Sequence, residues 1–90
     1  MKILVADPLS EKGMTVLKNE SDIQADLKPG TKPEELVKII GEYEGMIVRS
    51  ETQVTEEVIN AGKKLKVIGR AGLGLDNIDL PAATRRGIIV

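Results

Sequence analysis

The segment LKVIGRAGLG, residues 65–74, joins a short apolar run to an arginine and a glycine-rich turn. The run lacks the polar and apolar alternation of a strand with one wet face, so it is typical of a parallel strand covered on both faces. Glycines directly after such a run indicate a turn from a strand into a helix. This stretch therefore predicts one β-α unit.

Similar units follow one another along the chain. The predicted strands are 3–6, 23–26, 46–48, 66–68 and 88–90, and only the second alternates, as expected of an edge strand. Parallel strands are joined by right-handed crossovers. The simplest fold is therefore α/β and doubly wound, a flavodoxin-like open parallel five-stranded sheet of order 2-1-3-4-5.

Capping residues predict where four helices begin, because Ser, Thr and Asp side chains accept hydrogen bonds from first-turn amides and proline suits the first helical position. In strand order 2-1-3-4-5, helix one lies alone on one face of the sheet and the other three helices share the opposite face. We expect a further helix or a partner chain to cover the bare face, since wet apolar surface costs about 25 cal/mol per Å². The helix signals are Ser10, with a helix to about Asn19, Pro33 after Thr31 or Lys32, Thr55, and Asp79, with Gly87 at the last exit.

Composition excludes several functions. Thirteen Lys and Arg against fourteen Asp and Glu give a net charge of -1, so neither nucleic acid nor an anionic membrane is an expected partner. The absence of Cys and His removes thiolate nucleophiles and the commonest metal ligands, and no metal site is expected. No apolar run approaches the roughly 20 residues of a membrane span, and a cytoplasmic protein is the default expectation.

A candidate site lies beyond the carboxyl ends of the strands, where open parallel sheets bind ligands. Guanidinium groups on neighbouring strands suit carboxylate or phosphate, which predicts a small anion as ligand. Alternatively, Arg49 forms only a surface ion pair with Asp7 or Glu51. The residues at this edge are Asp7 after strand one, Arg49 and Ser50 after strand three, and Arg70, Ala71 and Gly72 after strand four.

The glycines at 72 and 74 allow two interpretations. Their turn could direct the amides of residues 72–74 at an anion, or it could be an ordinary strand-to-helix turn. A dinucleotide fingerprint G-x-G-x-x-G fits poorly because position 77 is Asn. A catalytic pair of Asp76 and Asp79 also fits poorly, because Asp79 is better placed as a helix cap.

Residues 46–50, 55–61, 65–80 and 82–88 resemble the N-terminal part of the D-isomer-specific 2-hydroxyacid dehydrogenases. Within that family, the string at 70–77 favours the members that oxidise 3-phospho-D-glycerate to 3-phosphohydroxypyruvate with NAD in serine biosynthesis. The resemblance implies a two-domain homo-oligomer. Residues 1–90 would be the N-terminal part of its substrate-binding domain, and the Rossmann cofactor domain would lie outside this chain.

The resemblance also implies roles for single residues. Arg49, Ser50 and Arg70 would bind the anionic substrate, with the amides of Ala71 and Gly72 on its carboxylate. Leu73 would abut the nicotinamide end of NAD, and no catalytic residue falls in this chain.

Three other functions remain open at the level of sequence. One is another D-2-hydroxyacid dehydrogenase, acting on a different hydroxy acid. A stand-alone anion-binding regulatory module would have both sheet faces covered within residues 1–90. An interaction domain without a ligand would place Arg49 and Arg70 on different edges.

Overall fold

The computed structural model describes residues 1–72 and 74–90, and among these it contains four parallel strands in one sheet of order β2-β1-β3-β4. The strand order and the α/β class confirm the predicted fold. The strands are β1 (Lys2–Val5), β2 (Gln24–Leu27), β3 (Gly45–Val48) and β4 (Val67–Arg70), and the helices are α1 (Glu11–Lys18), α2 (Pro33–Ile39), α3 (Glu56–Ala61) and α4 (Leu80–Arg85), with a 3₁₀ turn at Ile40–Glu42.

The predicted fifth strand was wrong in extent, although its place beside β4 was right. Only Ile89 pairs with the sheet, through an isolated parallel bridge to Val67. The preceding amide, that of Ile88, instead donates to the carbonyl of Ala83 at 2.9 Å and closes the end of α4. Gly87 makes this closure possible with a φ of 70°.

The helices begin where the capping signals predicted. The side chains of Ser10, Thr55 and Asp79 accept hydrogen bonds from Gly13, Val58 and Ala82, at 3.1, 3.3 and 3.1 Å respectively. Helix α2 starts at Pro33 without a side-chain cap. The capping contacts fix the start of α1, α3 and α4 at the carboxyl edge of the sheet.

The hydrophobic core lies between one face of the sheet and the three helices α2, α3 and α4. Alternate residues of the strands point into it, so that β1 contributes Leu4, β3 contributes Met46 and Val48, and β4 contributes Ile68. The helices contribute Leu36, Val58, Ile59, Ala82 and Ala83, and residues from the connecting segments complete the cluster.

Among the helices of the described residues, only α1 lies on the opposite face of the sheet, as predicted. No residue of α1 is buried, and Val16 is 60 % exposed. Between α1 and the ends of β3 and β4 lies an apolar groove of about 470 Å³, here called the α1 groove. Its lining includes Leu9, Gly13, Val16, Leu17, Ile47 and Gly69.

Within the described part of the chain, no helix combines the length and apolar character that crossing a bilayer requires.

Candidate functional site

The buried side chain of Asp7 holds the loop after β3 at the carboxyl edge of the sheet. It is 2 % exposed, and its carboxylate accepts bonds from the amides of Arg49 and Thr52, at 2.7 and 3.1 Å, and from the Thr52 hydroxyl at 2.5 Å. Asp7 thus ties the loop after β3 to the end of β1. The ion pairs found among the described residues do not include Arg49, so the alternative of a surface pair with Asp7 or Glu51 is wrong.

A crevice of about 260 Å³ opens where the chain leaves β1, β3 and β4. It is lined by Leu9, Ser10, Arg49, Ala71 and Gly72, and is called the rim crevice below. Three of the five predicted substrate-binding residues therefore share one depression, at the edge where open parallel sheets bind ligands.

One of the two backbone amides expected to bind the anion, that of Ala71, is already hydrogen-bonded within the sheet. The amide of Ala71 donates to the carbonyl of Val48 at 2.9 Å, continuing the pairing of β3 with β4. The Ala71 amide is therefore not available to bind an anion, and of the two amides expected to do so only that of Gly72 remains a candidate. Gly72 and Gly74 have φ values of 140° and 79°, which L side chains rarely adopt. Leu73, expected near the cofactor, lies outside the described residues.

Arg70 lies beside the rim crevice and is hydrogen-bonded to Asn77. Its Nε donates to Asn77 Oδ1 at 2.6 Å, and a Cβ atom at Gly72 would lie only 3.1 Å from Arg70 Nη1. The guanidinium therefore lies against the glycine that lines the crevice. Arg70 also lines the adjoining α1 groove. Arg49 and Arg70 thus share one edge, contrary to what an interaction domain without a ligand predicts.

Asn77 was not among the predicted site residues. It is 6 % exposed, and its Nδ2 donates to the carbonyls of Arg49 and Thr52 at 2.6 and 2.8 Å. The sequence offered one signal, a polar residue directly before the apolar Ile78 in a turn that follows a strand. That signal identifies neither the burial of the amide nor its partners.

The structure places two further candidate residues, Ser50 and Asp79, outside the rim crevice. Ser50 is exposed and does not appear in the lining of the rim crevice. Asp79 caps α4, which leaves Asp76 without the carboxylate partner that a catalytic pair would require.

The protein-family model for the catalytic domain of D-isomer specific 2-hydroxyacid dehydrogenases matches residues 3–90. The chain belongs to this family. The dehydrogenase resemblance of the sequence is thereby confirmed at the level of the family.

Individual dehydrogenases align over nearly the whole chain. The D-3-phosphoglycerate dehydrogenase of Synechocystis sp. is 49 % identical over 89 residues, which are 99 % of this chain and 16 % of that protein. The chain thus spans about a sixth of the length of this curated relative.

Solved structures share the fold of this chain over nearly its whole length. A protein from Pyrococcus horikoshii OT3 superposes with a TM-score of 0.90 at 36 % identity, covering 97 % of this chain and 26 % of its own. The NAD⁺-bound 3-phosphoglycerate dehydrogenase of Entamoeba histolytica gives 0.85 at 36 % identity, covering 98 % and 31 %.

Among the described residues, the glycine spacing of a dinucleotide-phosphate loop is incomplete. In that loop a third glycine allows close packing of the helix on the strand. Here the corresponding position holds Asn77, whose side chain fills the space with three hydrogen bonds. The fingerprint therefore fails at its third glycine.

Proposed function

We propose that residues 1–90 form the N-terminal part of the substrate-binding domain of an NAD-dependent D-2-hydroxyacid dehydrogenase that oxidises 3-phospho-D-glycerate to 3-phosphohydroxypyruvate. The observation that carries the proposal is the rim crevice, where Arg49 and Gly72 meet and Arg70 lies alongside. The alignment with a D-3-phosphoglycerate dehydrogenase over 99 % of the chain supports this choice of substrate.

The role of this chain is to bind and orient the anion. Guanidinium groups hold carboxylate and phosphate oxygens through paired N–H donors, which suits a substrate that carries both groups. A bound and oriented substrate reacts faster because less freedom is lost at the transition state. Arg49 and Arg70 supply these donors, and the Gly72 amide is the backbone donor for the substrate carboxylate.

The chemical step depends on groups outside residues 1–90. Oxidation of the hydroxyl removes a hydride from C2 and a proton from oxygen, and NAD supplies the hydride acceptor when bound. This chain has no histidine to take the proton near neutral pH. A cofactor domain elsewhere in the protein would provide the base and the dinucleotide site, and the chain alone is expected to be inactive.

The partly covered face of the sheet supports a larger assembly. Val16 and the half-buried Ile47 line an open apolar groove, whereas a stand-alone regulatory module would cover both faces. In the proposed enzyme, a further segment of the protein or a second copy would fill the α1 groove, in keeping with a homo-oligomer.

Substitution of Arg70 tests the proposed function. In the intact enzyme, Arg70→Ala should raise the KM for 3-phosphoglycerate by about tenfold or more and leave the fold unchanged, as judged by circular dichroism. Arg85→Ala, an exposed change on α4, serves as the control. Unchanged kinetics for Arg70→Ala would remove this residue from the substrate site, and an intact protein without activity on 3-phosphoglycerate would refute the choice of substrate.

A further inference from the structure

The side chain of Asn77 connects its own turn to two other segments at the carboxyl edge of the sheet. Its carboxamide lies between the end of β4, which it reaches at Arg70 Nε, and the loop after β3, which it reaches at the carbonyls of Arg49 and Thr52. All three heavy-atom distances lie between 2.6 and 2.8 Å. One buried amide thus joins the guanidinium of one predicted substrate-binding arginine to the backbone of the other.

The carboxamide is suited to this position by its donor and acceptor pattern. An asparagine offers two N–H donors and one carbonyl acceptor, and here both heavy atoms are engaged with partners of the matching kind. An aspartate would face two carbonyl oxygens without a proton to donate. A serine is too short to span from the loop after β3 to Arg70.

The backbone at residue 77 is held independently of its side chain. The amide of Val54 donates to the Asn77 carbonyl at 2.8 Å, and the amide of Asp79 donates to the Val54 carbonyl at 2.9 Å. Val54 and Ile78 form a parallel bridge at the same place. Backbone bonds therefore already hold residues 77–79 beside Val54, so that the carboxamide is not needed for that contact and can serve another task.

That task concerns the orientation of Arg70. A guanidinium recognises an oxyanion through a planar fork of donors, so the plane of the fork must be fixed before the anion arrives. The hydrogen bond that Arg70 Nε donates to Asn77 Oδ1 restrains this plane at its base.

We propose that Asn77 is a positioning residue for substrate binding, which holds the guanidinium plane of Arg70 in register with Arg49. The proposal rests on the proposed function, because it assigns Asn77 a role in the site where Arg70 meets the anionic substrate. Asn77 itself acts through Arg70 and does not touch the substrate.

A double-mutant cycle in the intact enzyme tests this role. Asn77→Ala should raise the KM for 3-phosphoglycerate about tenfold, since small misplacement of a binding group is costly, while the KM for NAD stays within twofold. In an Arg70→Ala background, the same change should raise the substrate KM by less than twofold. Asn60→Ala, on the exposed side of α3, is the matched control and should change neither constant.

The cycle separates positioning from a general structural effect. If Asn77→Ala weakens substrate binding equally in both backgrounds, it does not act through Arg70 and the positioning role is refuted. If Asn77→Ala fails to fold, Asn77→Ser is carried through the same cycle with the same two criteria. Normal substrate binding by either folded variant, alongside a weakened Arg70→Ala enzyme, refutes the positioning role alone.

The same data test the proposed function separately. A wild-type enzyme that does not oxidise 3-phosphoglycerate, or an Arg70→Ala enzyme with an unchanged KM, refutes the assignment of the site, and the role of Asn77 falls with it.

Discussion

Gly72 shows how one residue controls the geometry of the rim crevice. Its φ of 140° disfavours any side chain, and an added Cβ would lie 3.1 Å from Arg70 Nη1. Gly72→Ala should therefore displace the guanidinium and raise the KM for 3-phosphoglycerate severalfold in the intact enzyme, with a loss of stability of about 1–3 kcal/mol from backbone strain. Steady-state kinetics and thermal unfolding measure the two effects.

Gly30→Ala provides the matched control for Gly72→Ala. Gly30 also has a positive φ, of 74°, but nothing lies within 4 Å of the Cβ position. The control should lose stability through the same kind of backbone strain and keep its KM. An equal rise of KM in both variants would show that strain alone, and not contact with Arg70, accounts for the effect.

Tyr43 gives a second prediction for a single residue, away from the rim crevice. The side chain is 1 % exposed, and its hydroxyl donates to Asp26 Oδ2 at 2.8 Å. Burial, followed by the hydrogen bond and charge of Asp26, raises the pKa of Tyr43 from 10.0 to about 12. The folded state holds this proton more tightly than the unfolded state. The contribution of protonated Tyr43 to the free energy of unfolding is therefore complete below pH 10 and is lost between pH 10 and 12.

Absorbance of the phenolate measures this shift directly, since Tyr43 is the single tyrosine of residues 1–90. The free energy of unfolding should fall by roughly 2–3 kcal/mol more in the wild type than in Tyr43→Phe over the same pH interval. A phenolate that forms with a midpoint near pH 10 in the folded chain would contradict the prediction.

At the scale of elements, α4 stabilises the end of α3 through one of two adjacent arginines. Arg86 donates from Nη1 to the Ile59 carbonyl at 2.7 Å and from Nη2 to the Gly62 carbonyl at 3.1 Å. Carbonyls at a helix end lack partners within the helix, and a cation suits that end. Arg86→Ala should lower the free energy of unfolding by about 1–3 kcal/mol, as measured by urea denaturation.

Arg85→Ala is the matched control for Arg86→Ala. Arg85 pairs with Glu56, but both side chains are more than half exposed, and such pairs contribute about 0–1 kcal/mol. A larger loss from Arg85→Ala than from Arg86→Ala would mean that charge pairing, and not completion of the helix end, joins α3 to α4.

The same elements explain which features could be predicted from sequence. Helix starts at Ser10, Thr55 and Asp79 were predictable because a cap acts on amides two or three residues ahead. The extent of the last strand was not, because it depends on the Ile88 amide closing α4 on Ala83. The partners of Asn77 lie seven to 28 residues away, and only the folded sheet brings them together.

At the scale of the whole molecule, the sheet has one sealed face and one partly open face. The sealed face holds the continuous core under α2, α3 and α4. On the other face, the α1 groove presents an apolar surface at the end of β4, directly beside Arg70. A segment that filled this groove would also lie next to the rim crevice, because both linings include Leu9, Ser10 and Ala71.

Two charge insertions test whether the groove is covered in the intact protein. Val16, in the α1 groove, and Leu27, on the outer strand β2, are 60 % and 46 % exposed in this chain. Exposed substitutions usually change stability by less than about 0.5 kcal/mol, so Val16→Glu and Leu27→Glu should both be mild in residues 1–90 alone. In the intact protein, Val16→Glu should cost several times more than Leu27→Glu, because a covered groove buries its charge. Thermal unfolding of both variants in both contexts measures this, and equal losses in the intact protein would show that the α1 groove stays open to water.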